Sequence, residues 1–217
     1  MVSVWKLANR KMLARTLPRH AVVAEVGVQR GRFAKVILQQ AKPAALHLID
    51  CWQHQDDDKY EADMANTTDQ HHLRNLARTR QRLRRGVRQG RVVIHQGFSV
   101  PMLATFSDHF FDWIYIDANH TCESVRADLE ACLSKVRPGG IIAGHDYINT
   151  TYWKDLNYGV VEAVDEFCAE HNWEIIYLTR EPGNEINGRG NPSYALRQAG
   201  WAADETVQRP WWMRWAA

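Results

Sequence analysis

From residue 21 onward the chain alternates between two patterns. Short apolar, β-branched runs are followed by stretches whose apolar positions recur at helical spacing. Ala21 to Val26 (AVVAEV) predicts a buried parallel strand. Gly27 ends it, and Gly31 to Ala41 places Phe33, Val36, Ile37 and Ala41 on one helix face. Ala45 to Asp50 (ALHLID) predicts a second strand, and Asp69 to Arg85 a helix with Leu73, Leu76 and Leu83 inward. Arg91 to His95 predicts a third strand, after which Ser99 caps a short helix. Phe111 to Asp117 (FDWIYID) predicts a fourth strand, and Thr121 caps a helix with Val125, Leu129, Cys132 and Val136 on its apolar side. Arg137-Pro138-Gly139-Gly140 reads as a turn into a fifth strand, Ile141 to Gly144. Asn157 caps a helix from about Tyr158 to Glu170, and Glu174 to Thr179 and Ser193 to Arg197 predict two last strands. Before all this, Trp5, Leu7, Met12, Leu13 and Leu17 suit a docked N-terminal helix within residues 1–20.

Strand–helix alternation predicts an α/β fold, a doubly wound sheet with helices on both faces. The last two strands have no helix between them, only the Gly/Pro/Asn-rich residues 181–192. They are therefore expected to pair antiparallel, because a parallel return needs a crossover. No repeat or low-complexity linker divides the chain, so residues 1–217 read as one domain: an N-terminal helix at 1–20, a core at 21–199 and a tail at 200–217. In such sheets ligands sit beyond the carboxyl ends of the strands.

Composition narrows the function. The 217 residues carry 27 Lys+Arg against 25 Asp+Glu, a formal net charge of +2, which argues against a globally basic nucleic-acid binder. No run approaches the ~18 apolar residues of a membrane span. Cys51, Cys122, Cys132 and Cys168 form no CxxC pair and fit no zinc spacing; reduced thiols in the cytoplasm are the expectation. The first twenty residues hold five basic residues and no acid, but lack the continuous apolar stretch of a secretory signal.

The strand ends carry the chemistry. The first ends Glu25-Val-Gly27-Val-Gln-Arg-Gly31, where glycines let the backbone approach a ligand and turn into a helix N-terminus. Val28 and Gln29 occupy the space that a dinucleotide motif keeps open for pyrophosphate, so a ligand without pyrophosphate fits better. Asp50 closes the second strand, where a carboxylate can accept both hydroxyls of a ribose. Gly97-Phe98-Ser99 offers a close backbone, an apolar face and a hydroxyl, which suit a purine. The fourth and fifth strands end in Asp117-Ala-Asn-His120 and Gly144-His145-Asp146. Two Asp and two His converging at neighbouring strand ends could hold a divalent metal, or form a base with its orienting carboxylate. A hydrogen-bonded loop network is the plainer alternative.

These residues together resemble class I S-adenosylmethionine-dependent methyltransferases. The likeness rests on Glu25-x-Gly27-x-x-x-Gly31, Asp50, Gly97-Phe98-Ser99, FDWIYIDANHTCESVRADLE and RPGGIIAGHDY, and runs from about Val22 to Arg197. It is nearest to the small bacterial O-methyltransferases of sugars and natural products, with catechol O-methyltransferase more distant. The resemblance implies a Rossmann-like methyltransferase fold of seven strands in the order 3-2-1-4-5-7-6, the seventh antiparallel. It also implies that Gly27 and Gly31 line the methionine part of the cofactor while Glu25 holds that loop. Asp50 would bind the ribose, and Gly97, Phe98 and Ser99 would surround the adenine. Asp117 matches the first metal ligand of metal-dependent members and borders the cofactor. His145 and Asp146 fall where those members carry their other two ligands, usually Asp-Asp or Asp-Asn. Imidazole at 145 favours a transition metal over Mg²⁺. His120 falls where the catechol enzyme has its lysine base.

The expected activity is methyl transfer from S-adenosylmethionine to a hydroxyl of a small molecule or glycan, with Mg, Mn or another transition metal as a candidate aid. Without metal, His120 or His145 would serve as base. A nicotinamide-dependent oxidoreductase and a non-catalytic interaction module of the same fold are the alternatives. Nucleic acid is not an expected partner, and a homodimer is. The eight arginines between Arg74 and Arg91 read as a solvated helix face. Residues 51–68, with Trp52 and Asp56-Asp57-Asp58, are a candidate lid. Trp201, Trp211, Trp212 and Trp215 are expected to pack on the domain or on a second subunit.

Overall fold

A computed structural model describes residues 4–56, 65–148, 158–181 and 190–201. In chain order the elements are β1 Trp5–Leu7, α1 Arg10–Thr16, β2 Val22–Val26, α2 Arg32–Gln40, β3 Ala45–Asp50, α3 Asp69–Arg82, α4 Arg84–Arg88 and β4 Val92–Gln96. There follow α5 Ser99–Ala104, β5 Phe111–Ile116, α6 Cys122–Leu133, β6 Val136–Gly144, α7 Val160–His171, β7 Trp173–Thr179 and β8 Tyr194–Gln198.

The sheet has eight strands in the order β1-β7-β8-β6-β5-β2-β3-β4. Seven of them, read from β4, follow the expected order, and β8 runs antiparallel to both β6 and β7. The eighth strand corrects the N-terminal reading. Residues 5–7 pair in parallel with β7 at the sheet edge, and only residues 10–16 are helical. Asn9 starts that helix by accepting the Met12 N–H at 2.9 Å.

The two faces of the sheet follow the period of two along each strand. On β5, Trp113 and Tyr115 face a core built with Leu13, Phe33, Ile37 and Leu76. Ile114 and Ile116 face the opposite core, with Leu103, Leu129, Val164 and Phe167. The continuously apolar strand runs are explained by this two-sided burial.

Several local readings change: Leu73, expected inward, is exposed, and Val136, expected on the helix, starts β6. The predicted helix over 69–85 breaks at Leu83 into α3 and α4. Ser99 is the first residue of α5 rather than its cap, a place taken by Phe98 with no side-chain cap bond. Residues 137–140 belong to β6 but bulge from the ladder: Phe111 pairs with Val136 and Trp113 with Ile141, so the extra residues loop out. Thr121 caps α6 as expected, accepting the Ser124 N–H. Seven of the eight arginines between Arg74 and Arg91 are exposed, and Arg91 is half-buried. Asn157, Trp211, Trp212 and Trp215 lie outside the described residues, while Trp201 stands over Gly139 and stays exposed.

Candidate active site

The parallel ladder sets the site. Asp117 N–H donates to the Val26 carbonyl at 2.7 Å, Gly27 N–H to Ile49, Gly97 N–H to Asp50 and His145 N–H to Ile116. The ends of β2, β3, β4, β5 and β6 are thereby brought into one row. Gly27 has φ +82°, and a Cβ there would stand 2.0 Å from the Asp117 carbonyl oxygen. Only a residue without a side chain lets β2 turn away so close to β5.

A cavity of about 300 Å³ opens above this row, within the range of small-ligand sites. Gly27, Asp50, Gly97, Phe98, Ser99 and Asp117 line it, as the sequence predicts. Gly31 and Glu25 do not. Gly31 is the left-handed N-cap of α2, against Thr79 of α3. Glu25 lies beneath, 1% exposed, and its Oε2 has no hydrogen-bond partner. Burial, reinforced by Asp117, pushes the Glu25 carboxyl well above the usual range.

Asp50 organises the loop as well as facing the cavity. Its Oδ2 accepts the Val28 and Gln29 N–H groups, and its Oδ1 accepts the Trp52 N–H, all at 2.8 Å. Trp52, near the start of the candidate lid at 51–68, is itself held in place. It is 2% exposed and donates its indole N–H to the Gln29 carbonyl at 2.8 Å, so it is a fixed wall beneath the loop. Asp57 and Asp58 lie outside the described residues, and Asp56 is exposed near His54.

At the Gly27–Asp117 end stands the acid–imidazole cluster. His120 Nε2 lies 2.8 Å from Asp146 Oδ2 and 4.0 Å from Asp117 Oδ1. His145 Nδ1 lies 3.0 Å from Asp146 Oδ2 and 3.6 Å from Asp117 Oδ1. Asp146 has φ +60°, and Asn191 donates to its Oδ1. The His120 ring stacks on Tyr158 at 4.5 Å between centroids. Yet His120 Nε2 makes no well-aligned hydrogen bond, so its contact with Asp146 is close without being directed.

Burial alone would pull the His120 imidazole down, but Asp117 and Asp146 outweigh it and push it up to about 10. For His145, burial likewise opposes and the same two carboxylates prevail, raising it. Burial would raise Asp146, yet the two imidazoles hold it far below the usual carboxylate range. Ligand atoms of Asp117, His120 and Asp146 lie within 4.8 Å of one another, a set of two carboxylates and one imidazole that suits a divalent transition metal. His145 stands beside that triad, facing both carboxylates.

Two residues at the site escape the sequence reading. Arg10, from α1, reaches Asp117 Oδ2 at 3.4 Å and lies 4.9 Å over the Phe33 ring. Nothing in its local sequence signals this. Asp128, on α6, is 2% exposed and lines the cavity with Ser99. A signal for it did exist: Asp128 falls on the apolar stripe of Val125, Leu129 and Cys132, where a carboxylate requires a reason.

Comparison with known proteins agrees with this geometry. A family profile described as "Methyltransferase domain" matches residues 24–147. Curated proteins give no match. Among solved structures, cofactor-bound Rv0187 from MTB superposes with a TM-score of 0.60 at 18% identity, covering 87% of this chain and 77% of that one. The N-methyltransferase NodS from Bradyrhizobium japonicum WM9 gives 0.59 at 14% identity, over 87% and 94%. The O-methyltransferase from Bacillus cereus in complex with SAH gives 0.58 at 17%, over 87% and 78%. These likenesses speak for the fold, while the family match spans more than half of the chain. The chain belongs to this methyltransferase family, and is a class I S-adenosylmethionine-dependent methyltransferase.

Proposed function

We propose that the protein methylates a hydroxyl oxygen of a small molecule or glycan, with a divalent ion held by Asp117, His120 and Asp146 beside the acceptor. The observation that carries this reading is the cluster of two carboxylates and two imidazoles gathered around Asp117, which itself lines the cavity. The orphaned His120 Nε2 and the donor set within 4.8 Å fit a divalent ion. His145 faces the same carboxylates and orients Asp146.

S-adenosylmethionine supplies an electrophilic methyl group when bound. A divalent ion at the triad would lower the pKa of a coordinated hydroxyl. The protein's own residues do the rest. The open Gly27 turn admits the methionyl part, and Asp50 faces the ribose from a loop its own carboxylate has fixed. Phe98 and Ser99 border the base. Asp117 and Asp146 hold the acceptor end at fixed geometry, so that the oxygen comes in line at roughly 3 Å from the methyl. With the His120 imidazole pushed up to about 10, it is not a ready base until something displaces its proton, and this favours the ion over a metal-free route through His120. Unpaired cysteines whose thiols burial pushes up suit a reducing compartment such as the cytoplasm.

The test is calorimetric titration of S-adenosylhomocysteine into chelator-treated protein, then methyl transfer from labelled S-adenosylmethionine to catechol and sugar acceptors with Mg²⁺, Mn²⁺ or Zn²⁺. Transfer to oxygen that depends on the ion and disappears in Asp146→Asn is the expected result. Cofactor binding with transfer confined to nitrogen acceptors, or indifferent to metal, overturns the proposal.

A further inference from the structure

The formal net charge of +2 conceals a strong asymmetry. Residues 70 to 107 hold eight arginines, no lysine and no acidic residue. Removing those eight from the 27 Lys+Arg of the whole chain leaves 19 against 25 Asp+Glu. Seven of the eight are exposed, four on α3 and three on α4. Among the described residues none of the seven is paired with a carboxylate. Arg74 instead donates to the Gln70 side chain at 2.7 Å, and Arg82 to the Arg30 carbonyl.

Arg74, Arg78 and Arg82 recur every four residues along α3, and Arg84 and Arg88 do so on α4. That spacing sets neighbouring side chains one turn apart, where like charges repel. A face kept only for solubility mixes both signs and turns the same spacing into ion pairs. Here the repulsion remains, and a polyanion relieves it. The helix forms regardless because its inner side is buried, with Leu76 in the core beside Asn75 and Thr79. Three observations narrow the polyanion. The large apolar residues exposed on α3 and α4 are Leu73 and Val87, too few for a membrane-seated helix or an apolar protein interface. The cations are all arginine, whose planar fork grips two phosphate oxygens at once. No aromatic ring stands between residues 70 and 91 to stack on a base, so the contact is with the backbone.

We propose that the arginine face of α3 and α4 is a docking surface for the phosphodiester backbone of a nucleic acid, gripped without reading its sequence. RNA and DNA offer the same phosphate chemistry to such a face. The proposal is independent of the cofactor and of the acceptor. The buried side of α3 carries His72, which lines the cavity, so the docking face and the cavity lie on different sides of one helix. Binding of this kind draws its strength from counterion release and therefore weakens steeply with salt.

The experiment is fluorescence anisotropy of labelled single-stranded RNA, duplex RNA and duplex DNA with the full chain, between about 50 and 200 mM KCl. The expected result is binding that is indifferent to base sequence, with log K falling against log salt at a slope steeper than about −2. Arg74→Gln/Arg78→Gln/Arg85→Gln leaves Arg82 on the Arg30 carbonyl. It should flatten that slope by about 2–3 and weaken binding at least ~tenfold. Lys6→Gln/Lys11→Gln/Arg19→Gln removes as many exposed charges elsewhere and should stay within about threefold of the wild type. Tighter binding to RNA or to DNA identifies the source and supports the proposal in either case. Equal losses in the two triple variants reduce the effect to overall charge and overturn it. So does wild-type protein that binds phosphatidylserine vesicles and no nucleic acid, or that binds neither. If the arginine variant does not fold, the wild-type slope decides, and one shallower than about −2 overturns the assignment.

Discussion

His120 and Asp146 meet across two strand ends, Nε2 to Oδ2 at 2.8 Å, without a well-aligned hydrogen bond between them. The contact joins the loop after β5 to the end of β6, and Asp117 completes a triangle around it. A buried imidazole pinned by two carboxylates without directed bonding is a place where a cation can substitute for a proton.

That arrangement predicts the pattern of metal affinities. Asp117→Asn and Asp146→Asn should each weaken Co²⁺ or Zn²⁺ binding by at least ~10–100-fold, and His120→Ala similarly. Arg10→Ala should act in the opposite direction. It removes a guanidinium 3.4 Å from Asp117 Oδ2 that competes with the ion, so binding tightens while the melting temperature falls. Titration of Co²⁺ followed by its visible absorption checks all four variants. Equal affinities across the set would refute the triad as a metal site.

Gly27 should tolerate no side chain. In Gly27→Ala the new Cβ would press on the Asp117 carbonyl, at 2.0 Å, from a left-handed backbone. The strain falls on both the turn after β2 and the strand end that carries Asp117. A loss of about 2–4 kcal/mol of stability is expected, together with at least tenfold weaker binding of S-adenosylhomocysteine. Urea unfolding and calorimetry measure the two effects separately.

Acid sensitivity should trace to a pair remote from the cavity. His47 Nδ1 and His95 Nε2 stand 3.0 Å apart on β3 and β4, with Phe106, Phe110 and Phe111 set edge-on around His47. Burial, with His95 adding to it, lowers the His47 imidazole to about 4. The folded protein thus binds fewer protons there than the unfolded chain does between about 6.5 and 4. Stability from this source is present above about 6.5 and is lost as the pH falls through that window, by about 1–3 kcal/mol. His47→Phe should flatten this part of the stability curve. An unchanged slope in urea melts at pH 4.5 and 7 would show that another group is responsible.

Much of the fold was legible because both faces of the sheet are buried. Runs such as AVVAEV and ALHLID have no polar face to confuse their reading, and the missing helix before Ser193 announced the antiparallel turn. Residues 5–7 were not legible as a strand. Three residues carry no periodicity, and their pairing with β7 is a tertiary choice. The same holds for the site. Asp50, Ser99 and Asp117 stand at strand ends, where topology alone places them. Arg10 arrives from a distant segment, and Trp52 looked like part of a mobile loop because its partner, the Gln29 carbonyl, is a main-chain atom that no sequence motif marks.

The edge pairing of β1 with β7 also bears on how the molecule is made. The Arg10 N–H donates to the Glu181 carboxylate, 171 positions away, and Arg10 is the residue that reaches Asp117. During synthesis, β1 leaves the ribosome long before its partner strand β7. The Arg10 corner therefore closes only after the C-terminal hairpin has emerged, and such non-local closure is slow. A nascent chain halted before β7 would carry the whole Gly27 turn while Arg10 still lacks its Glu181 partner, which makes completion of this corner a late event in the protein's biogenesis.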